Sequence, residues 1–342
     1  MSILIIGGGK MGFSHSALLS SYLGKQNIAI CDNKFIVRMI YSVLGFKVFK
    51  SFNDACRILN KISGVVIATP TSSHYNLTKL VIQKKIPCFV EKPLTLDISK
   101  SLELLKFSEE YNSYVQLGFV MRYVSTFHNL KNIISSHKFG NIISYKASML
   151  GNVITQTPPA DSWRGNFTKG GGCLNEYGPH LIDLILYLFG NVNKIHSCTY
   201  EQIFCNKADD SCKFELKHQN NVSGLINLNW ADTKQRKSVI KLEVKFEKLS
   251  LYVDNSTIDI LDSSNLTNIN TEDLSILKSL PFNVKFYLRG EEFSREIEDF
   301  LEKCFHQKFS QDNTTKSIIP TITDGCNVDE LISIISKKLF IK

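Results

Sequence analysis

The chain has 342 residues, which is more than one simple hydrophobic core usually covers, so two domains are expected. With 43% hydrophobic and 21% charged residues the composition is that of an ordinary globular protein, and no apolar run approaches the roughly 20 residues of a membrane span. The net charge of +8 is modest, and no dense Lys/Arg block with interleaved aromatic residues is present. Neither a nucleic-acid partner nor a membrane partner is therefore predicted.

Nine cysteines occur without any C-x-x-C pair, and no stretch has the spacing of a metal site such as H-E-x-x-H. An odd number of cysteines without metal spacing indicates a reducing compartment. The N-terminus enters an apolar strand pattern at once, which leaves no room for a targeting segment. We therefore expect a cytoplasmic protein without a bound metal.

The first thirty-two residues contain a complete dinucleotide-binding pattern. An apolar strand at residues 2–6 runs into Gly7-x-Gly9-x-x-Gly12 and then into a helical stretch. In this pattern Gly7 permits the tight turn, Gly9 lets the backbone approach a pyrophosphate, and Gly12 lets helix and strand pack closely. The N–H groups at the start of the helix are then available to the phosphates.

Lys10 and Met11, which lie inside this glycine turn, are also predicted to contact the cofactor. A second apolar strand ends in Asp32, whose carboxylate would accept hydrogen bonds from the adenosine ribose and repel a 2′-phosphate. Asp32 thus favours NAD over NADP, although Lys34 and Arg38 lie close enough to leave NADP open.

Strand and helix patterns alternate through the first third of the chain. Short apolar runs separated by helices are typical of a parallel sheet covered on both faces, and ligands of such a doubly wound fold bind beyond the carboxyl ends of the strands. The predicted strands are 2–6, 28–31, 47–49, 64–68, 88–90 and 114–117, and the predicted helices include 35–44, a helix capped by Ser51, 73–83 and 97–111.

The pattern changes after about residue 123. Closely spaced strand patterns without intervening helices suggest an antiparallel or mixed sheet. The predicted strands are 142–150, 212–218, 222–230, 239–246 and 249–253, the predicted helices are 130–136, 181–189, 291–305 and 327–339, and the Asn/Ser-rich stretch near 263–272 is predicted to be an exposed loop. The predicted fold is α/β, with a Rossmann dinucleotide-binding domain over 1–123 and an α+β domain on an open mixed or antiparallel sheet over 124–342.

Two segments carry candidate chemistry. Glu91-Lys92-Pro93 follows a predicted strand on the cofactor edge of the sheet, where the Lys92 ammonium could stabilise negative charge on a reacting oxygen. His180 lies before a strongly apolar helix, and histidine is the usual general base for an alcohol near neutral pH. Glu176 could orient that imidazole. A surface lysine and a structural histidine remain the alternatives.

Taken together, these segments resemble the Gfo/Idh/MocA oxidoreductase family, typified by glucose–fructose oxidoreductase and inositol 2-dehydrogenase. The matching motifs run in order over nearly the whole chain. They are Gly7-x-Gly9-x-x-Gly12, Ala68-Thr69-Pro70 with His74, Glu91-Lys92-Pro93, Trp163-Arg164, Gly171-Gly172-(x)3-Glu176-(x)3-His180-(x)2-Asp183, and Thr323-Asp324-Gly325.

The resemblance implies NAD(P)-dependent oxidation or reduction of a sugar, a cyclitol or a nucleotide sugar, in a homodimer or homotetramer built on the open sheet. By the same resemblance His180 is the acid/base and Lys92 lies beside nicotinamide and substrate, with a cis bond before Pro93. The resemblance also gives a set of further contacts to the cofactor. These contacts are Thr69, Pro70, His74, Glu91, Trp163 and Arg164.

The chain departs from the family pattern at Glu176, where the family usually has Asp, so that the carboxylate moves by about one methylene. Because Pro179 is comfortable only in a first helical turn, we expect the helix to start near Pro179, and i,i+4 geometry for Glu176 and His180 is not assumed. Asp183 could contact a substrate hydroxyl or serve the helix dipole. Tyr123 and His74 could lie near the cleft or could be packing residues.

The predicted function is hydride transfer between nicotinamide and a hydroxyl or keto carbon of such a sugar. A redox-neutral variant, in which NAD stays bound and transient oxidation permits elimination or glycoside cleavage, is one alternative. A non-catalytic sensor of a dinucleotide or sugar is the other, although the presence of both Lys92 and His180 argues against it.

Overall fold

In the computed structural model the chain forms two compact units. The structure describes residues 2–159, 162–262, 274–278, 283–284, 288–309 and 318–340. The first unit comprises Met1–Val120 with Phe282–Asp329, and the second comprises Met121–Pro281 with Glu330–Lys342. The change of unit after Val120 lies close to the predicted boundary at residue 123, whereas the return of the later segment to the first unit was not predicted.

The elements alternate early in the chain and change to successive strands later. The helices are α1 (Lys10–Leu23), α2 (Phe35–Val43), α3 (Phe52–Ile58), α4 (His74–Gln83), α5 (Ile98–Glu110), α6 (Ser125–Ser136), α7 (Cys173–Phe189), α8 (Glu291–Phe305) and α9 (Ile322–Phe340). The strands are β1 (Ser2–Ile6), β2 (Ile28–Cys31), β3 (Lys47–Phe49), β4 (Ile62–Ile67), β5 (Cys88–Val90), β6 (Val115–Leu117), β7 (Ile142–Leu150), β8 (Val192–Glu201), β9 (Ser211–His218), β10 (Ser223–Asn229), β11 (Val239–Phe246), β12 (Ser250–Asp254) and β13 (Ile258–Asp262).

The sheet of the first unit is parallel and has the order β3-β2-β1-β4-β5-β6. The strand order reverses between β1 and β4, and such a switch point is where doubly wound folds bind dinucleotides. The predicted Rossmann architecture is therefore confirmed.

Local signals in the sequence fix several of the helix ends in this unit. Ser51 accepts a hydrogen bond from the Asp54 N–H and caps α3 as predicted, and Asp97 accepts one from the Ser99 N–H at the start of α5. Helix α2 ends one residue earlier than predicted, with Leu44 as its C-cap.

Helix α8 packs on β4 in the core of the first unit. Gly64 on β4 has no side chain, and a Cβ built there would meet Cys304 Sγ at 2.4 Å and Phe300 Cζ at 3.0 Å. Ile297 and Phe300 of α8 are fully buried in one cluster with Ile3 of β1. A helix far along the chain thus completes the first core, and the amphipathic pattern of α8 alone does not state which sheet it covers.

The second unit is built on a mixed sheet of order β13-β12-β11-β7-β10-β9-β8. Its one parallel pairing among the described strands is β7 with β10, and the remaining neighbours are antiparallel. Buried and accessible residues alternate along β9 and β10, so that one sheet face is packed and the other is accessible. This confirms the predicted open mixed sheet.

Helix α7 covers the packed face and starts earlier than predicted. The preference of proline for a first helical turn predicts a start near Pro179, but the helix begins at Cys173 and Pro179 lies inside it. Gly178 precedes the proline and has no Cβ for the ring to clash with, which relaxes the usual restriction on that position. The prediction of the helix start was therefore wrong.

In the part of the chain that the structure describes, no helix combines the length and the apolar character that crossing a membrane needs. The predicted loop at 263–272 lies outside the described residues.

Candidate functional site

Two of the three motif glycines in the turn after β1 have no space for a side chain. A Cβ at Gly12 would lie 1.9 Å from the Gly7 carbonyl oxygen, and Gly7 itself has φ +99° with the Ala68 carbonyl 2.7 Å from a Cβ position. Gly9, in contrast, faces open space within 4 Å. Two glycines are thus required for packing and the third leaves the backbone approachable, as a bound pyrophosphate needs.

A cleft of about 730 Å³ opens at the carboxyl ends of β1, β2 and β4 within the first unit. Of the predicted cofactor residues, Gly7, Gly9, Asp32, Thr69 and Pro70 line it. Several further polar residues line the cleft that were not predicted to bind the cofactor. They are Asn33, Lys50, Ser51, Asn53, Ser72, Ser73 and Asn76.

Asp32 is held at the edge of this cleft by the backbone. Its Oδ2 accepts the Gly8 N–H at 2.8 Å and its Oδ1 accepts the Lys34 N–H at 2.8 Å. The Arg38 guanidinium donates instead to the carbonyl oxygens of Asp32 and Asn33, at 2.8 and 2.9 Å. The carboxylate is therefore oriented, and Arg38 is engaged by main-chain oxygens.

The first turn of α1 completes the fit to a dinucleotide. Gly9 is its N-cap and has no side chain to satisfy the orphan N–H groups, and the first turn carries no acidic residue. Lys10 is exposed at the helix start. Arg289 Nη1 donates a hydrogen bond to Met11 Sδ at 2.9 Å. The donors, the approachable Gly9 and the oriented carboxylate suit a pyrophosphate and a ribose.

His74 is a buried link between two loops. Its ring nitrogens lie 2.8 Å from the carbonyl oxygens of Thr69 and Pro93. Burial lowers the pKa of His74, against the two carbonyl contacts that raise it. A neutral imidazole has one N–H and donates to one of these oxygens at a time. His74 thus ties the loop after β4 to the loop after β5, in the packing role that the sequence analysis left open.

Glu91 is tied to His15, a residue that the sequence analysis missed. His15 Nε2 lies 2.7 Å from Glu91 Oε1, and His15 is 1% exposed. Burial raises the pKa of Glu91, but the hydrogen bond from His15 and the charges of His15 and Lys92 outweigh it, so that the pKa is lowered overall. Lys92 follows at the end of β5, partly buried, and its bond to Pro93 is cis, as predicted.

In the second unit the predicted residues Glu176, His180 and Asp183 share helix α7. Because α7 runs unbroken from Cys173, Glu176 and His180 are separated by four residues and lie on one face, one turn apart. Glu176 and His180 therefore have the i,i+4 helical geometry that could not be assumed from the sequence. Both side chains are partly accessible, whereas Asp183 is fully buried.

Asp183 forms a buried ion pair with Arg122 rather than facing solvent. Arg122 Nε donates to Oδ2 at 2.9 Å and Nη2 donates to Oδ1 at 2.6 Å, a bidentate arrangement. The guanidinium also lies 5.0 Å from the centre of the Tyr187 ring. Since both carboxylate oxygens accept from Arg122, the geometry favours a positioning role for Asp183 over the predicted contact with substrate. Tyr123, beside Arg122 in sequence, is also fully buried.

The start of α7 is fixed by Asp209, which no sequence signal identified. The Cys173 N–H donates to the Asp209 carbonyl at 2.9 Å, and the Leu174 N–H donates to its Oδ2 at 2.8 Å. Gly172 has φ +97°, and a Cβ there would lie 2.3 Å from Asp209 Oδ1. Asp209 supplies the acceptors that an N-cap side chain would otherwise provide.

Trp163 and Arg164 lie at the same end of α7. The Gly172 N–H donates to the Arg164 carbonyl at 3.1 Å, and a Cβ at Gly171 would lie 2.2 Å from the Trp163 carbonyl. The Arg164 guanidinium lies 4.9 Å from the Trp163 ring centre, and the Trp163 side chain is 42% exposed. The main chain of Trp163 and Arg164 therefore packs against the start of α7, and both side chains stay accessible.

We expect the Arg122–Asp183 pair to be important for stability. Arg122→Met leaves a buried carboxylate without its counter-ion and should lower the free energy of unfolding by about 3–5 kcal/mol in urea denaturation. Replacing both residues, with Arg122→Met and Asp183→Leu, should recover most of this loss. Lys146→Met at the exposed Lys146–Glu243 pair, where Nζ and Oε2 are 3.2 Å apart, is the control and should change it by less than about 0.5 kcal/mol. A loss below about 1 kcal/mol in Arg122→Met would contradict this interpretation.

Asp209 should make the stability depend on pH. Burial raises the pKa of Asp209 from its ordinary value of 3.8 to about 7, although the Leu174 N–H favours the ionised form. Between these values the unfolded state has released its proton and the folded state retains it, so Asp209 increasingly destabilises the fold as pH rises. Asp209→Asn should therefore gain stability relative to wild type from pH 4 to 7, on the order of 1–4 kcal/mol by denaturant titration.

Asp259→Asn, at an exposed position on β13, is the matched control and should keep the wild-type pH dependence. An Asp209→Asn variant whose stability runs parallel to that of the wild type over this range would refute the assignment.

Comparison with known proteins agrees with this architecture. Residues 1–119 match the oxidoreductase family with an NAD-binding Rossmann fold, and residues 127–252 match the GFO/IDH/MocA C-terminal domain. Glucose-6-phosphate 3-dehydrogenase of Bacillus subtilis (strain 168) is 27% identical over 188 residues, which are 54% of this chain and 53% of that protein. Inositol 2-dehydrogenase of Rhodococcus jostii (strain RHA1) is 27% identical over 146 residues, 42% of this chain and 40% of that protein.

This chain thus spans about half the length of the curated relatives it matches. Among solved structures, the WlbA dehydrogenase from Bordetella pertussis, in complex with NADH and UDP-GlcNAcA, is similar with a TM-score of 0.77 at 17% identity, covering 99% of this chain and 95% of that one. At this identity the likeness shows the fold. With both domain families matched in order, the chain belongs to the Gfo/Idh/MocA oxidoreductase family.

Proposed function

We propose that the protein is an NAD-dependent oxidoreductase acting on a hydroxyl or keto carbon of a sugar, a cyclitol or a nucleotide sugar. The observation that carries the proposal is the fit of the cleft to a dinucleotide, with an approachable Gly9, an uncapped helix start and the oriented carboxylate of Asp32. NAD, when bound, supplies a nicotinamide ring that accepts or donates a hydride. The names of the relatives, which are sugar and cyclitol dehydrogenases, support the substrate class.

NAD is proposed over NADP because of the charges at the ribose end. Asp32 presents a carboxylate fixed by two N–H donors, and a 2′-phosphate beside it would be repelled. Arg38, which could offset that repulsion, donates to two main-chain carbonyls. Lys34 and Lys50 also line the cleft, and neither ammonium is fixed beside the Asp32 carboxylate in the way that its two N–H donors are.

Each candidate catalytic residue has one proposed role. His180 takes the proton of the substrate hydroxyl during oxidation and returns it during reduction. Lys92 places an ammonium beside the oxygen and stabilises the negative charge that develops on it. Glu176, one helical turn before His180, orients the imidazole.

The remaining predicted residues hold these groups and the cofactor. Trp163 and Arg164 are proposed to contact the cofactor, with accessible side chains at the start of α7. His74 and Glu91 position the loops next to the cleft rather than bind in it, because their polar atoms bond to Thr69, Pro93 and His15.

A nucleotide sugar is the substrate type that the charge favours, since a chain of net charge +8 attracts an anionic ligand. The UDP-GlcNAcA bound by WlbA is a compound of that type. We also propose a homodimer or homotetramer formed on the accessible face of the second sheet, and a cytoplasmic location, because all nine cysteines lie among the described residues as free thiols.

The cofactor preference is tested by Asp32→Ala. The variant loses charge-assisted hydrogen bonds to the ribose, so NADH binding should weaken by about tenfold to a hundredfold. The difference in affinity between NADH and NADPH should become smaller. Binding is measured by protein-to-NADH energy transfer or calorimetry, without turnover. Asp32→Asn is the matched comparison, because it keeps the side-chain size and one acceptor oxygen while it removes the charge and replaces the other oxygen with an NH2 donor. Unchanged NADH affinity in Asp32→Ala would rule out the proposed ribose contact.

The reaction is tested by following nicotinamide absorbance with a panel of sugars, cyclitols and nucleotide sugars. His180→Asn and Lys92→Met should each lower kcat by about 10²–10⁴-fold while NADH still binds, because both act on the reacting oxygen. His196→Asn, an exposed histidine on β8, should retain wild-type kcat. Product formation without net absorbance change would indicate the redox-neutral route, and wild-type turnover in both variants would refute the assigned roles.

A further inference from the structure

Helix α2 is apolar over most of its circumference, and its two polar residues, Arg38 and Ser42, share one narrow side. Seven of its nine residues, in the sequence FIVRMIYSV, are hydrophobic. A helix of this composition is normally buried on all sides. In this protein only one side is buried, where Tyr41 packs in the core cluster of the first unit and Val37 packs against it.

The opposite side of α2 is exposed to solvent. Phe35, Ile36 and Val43 are 73%, 61% and 84% exposed, and Met39 and Ile40 are about half exposed. These five residues are spaced at i, i+1, i+4, i+5 and i+8, so they form one continuous surface, which we call the α2 face. A continuous apolar surface of this kind, unlike single exposed leucines, marks an interaction site.

The chain segment that carries the α2 face, between Asp32 and Asp54, is basic. Residues 33–53 contain Lys34, Arg38, Lys47 and Lys50 and no Asp or Glu. Lys25 adds a fifth cation at the end of the helix, where its Nζ donates to the Leu44 carbonyl at 2.8 Å. An occupant of this surface must therefore accept apolar side chains at its centre and positive charge at the rim.

A second copy of the chain fits these requirements poorly. In a two-fold dimer the same surface faces itself, so the basic rims of the two copies would be brought together. Like charges opposed across an interface cost free energy and slow association. The charge therefore favours an anionic occupant.

We propose that the α2 face docks on an anionic lipid surface. Apolar side chains on a convex helix can enter the boundary between headgroups and acyl chains, while Lys and Arg at the rim stay at the level of the anionic headgroups. This is binding to a membrane surface, and it revises the prediction that the protein has no membrane partner without requiring a spanning segment. The proposal does not depend on the proposed enzymatic function.

The test is co-sedimentation of the full chain with vesicles of equal parts phosphatidylglycerol and phosphatidylcholine at low salt. Wild type should bind them at least about tenfold more tightly than pure phosphatidylcholine vesicles, and added NaCl should weaken the binding. The double substitution Phe35→Ser with Val43→Ser should reduce binding about tenfold or more, because two large apolar side chains no longer enter the lipid. Arg38→Gln with Lys47→Gln should reduce it about fivefold for each charge removed.

Matched controls separate the α2 face from general stickiness. Leu102→Ser with Ile143→Ser removes two side chains that are 52% and 47% exposed on other surfaces, and should bind vesicles like wild type. Because the altered side chains are exposed, thermal unfolding should confirm that all variants remain folded.

Two results would overturn the proposal. The first is that wild type does not bind the vesicles, or that the α2 variants bind them as tightly as wild type does. The other is a lipid-free oligomer, measured by analytical ultracentrifugation, that dissociates in Phe35→Ser with Val43→Ser, because this result would assign the α2 face to a contact between copies of the chain.

Discussion

The first unit depends on one close approach, between the backbone of Gly12 in α1 and the carbonyl oxygen of Gly7 after β1. A Cβ at Gly12 would lie 1.9 Å from that oxygen, so any other residue would push α1 away from the sheet. With α1 in place, the N–H groups of its first turn have no side-chain cap, and the Gly8 N–H donates to the Asp32 carboxylate at 2.8 Å. The packing requirement and the binding requirement are thus met by the same turn, and the cleft at the strand ends follows from it.

Helix α7 in the second unit is constrained in a comparable way, by tertiary contacts with Asp209 and Arg122. Asp209 accepts two N–H groups at its start, and Arg122 holds Asp183 further along. Glu176 and His180 lie between these two attachment points and remain partly accessible. The two buried acids fix the position and rotation of the helix, so the face that carries Glu176 and His180 is defined by residues that have no part in the proposed chemistry.

The sequence predicted most of what depends on local patterns. Short apolar runs predicted the parallel sheet, and the ends of β7, β11 and α8 agree with the predictions to the residue. The start of α7 was predicted wrongly because the proline rule describes an isolated helix. In the protein, the N–H groups at Cys173 and Leu174 find acceptors on Asp209, which is remote in sequence. One hydrogen bond lost at Pro179 does not outweigh this attachment together with the burial of the apolar helix.

The same reason explains the site residues that were missed. His15 lies on the inner side of α1 and reaches Glu91, and Arg122 reaches Asp183, but neither pairing has a spacing that the sequence reveals. A motif identifies residues that adjoin a ligand through local geometry, as Gly7 and Asp32 do. It does not identify residues that act through a tertiary contact, because that contact exists only once the elements have packed. The roles of Lys92, Glu176 and His180 remain predictions that rest on the family.

The structure shows where part of the excess positive charge of the chain lies. From sequence alone, the net charge of +8 is modest and cannot be assigned to any surface of the protein. In the structure, Lys34 and Lys50 line the cleft that suits a dinucleotide, while Arg38 lies on α2 among the exposed apolar side chains. Residues 33–53, which include no Asp or Glu, therefore contribute both to the lining of a polar cleft and to an exposed apolar helix surface. Solubility alone does not account for exposed Phe35 and Val43 next to these cations, since it would favour polar side chains there, so the composition of α2 is better explained by contact with an anionic, partly apolar surface.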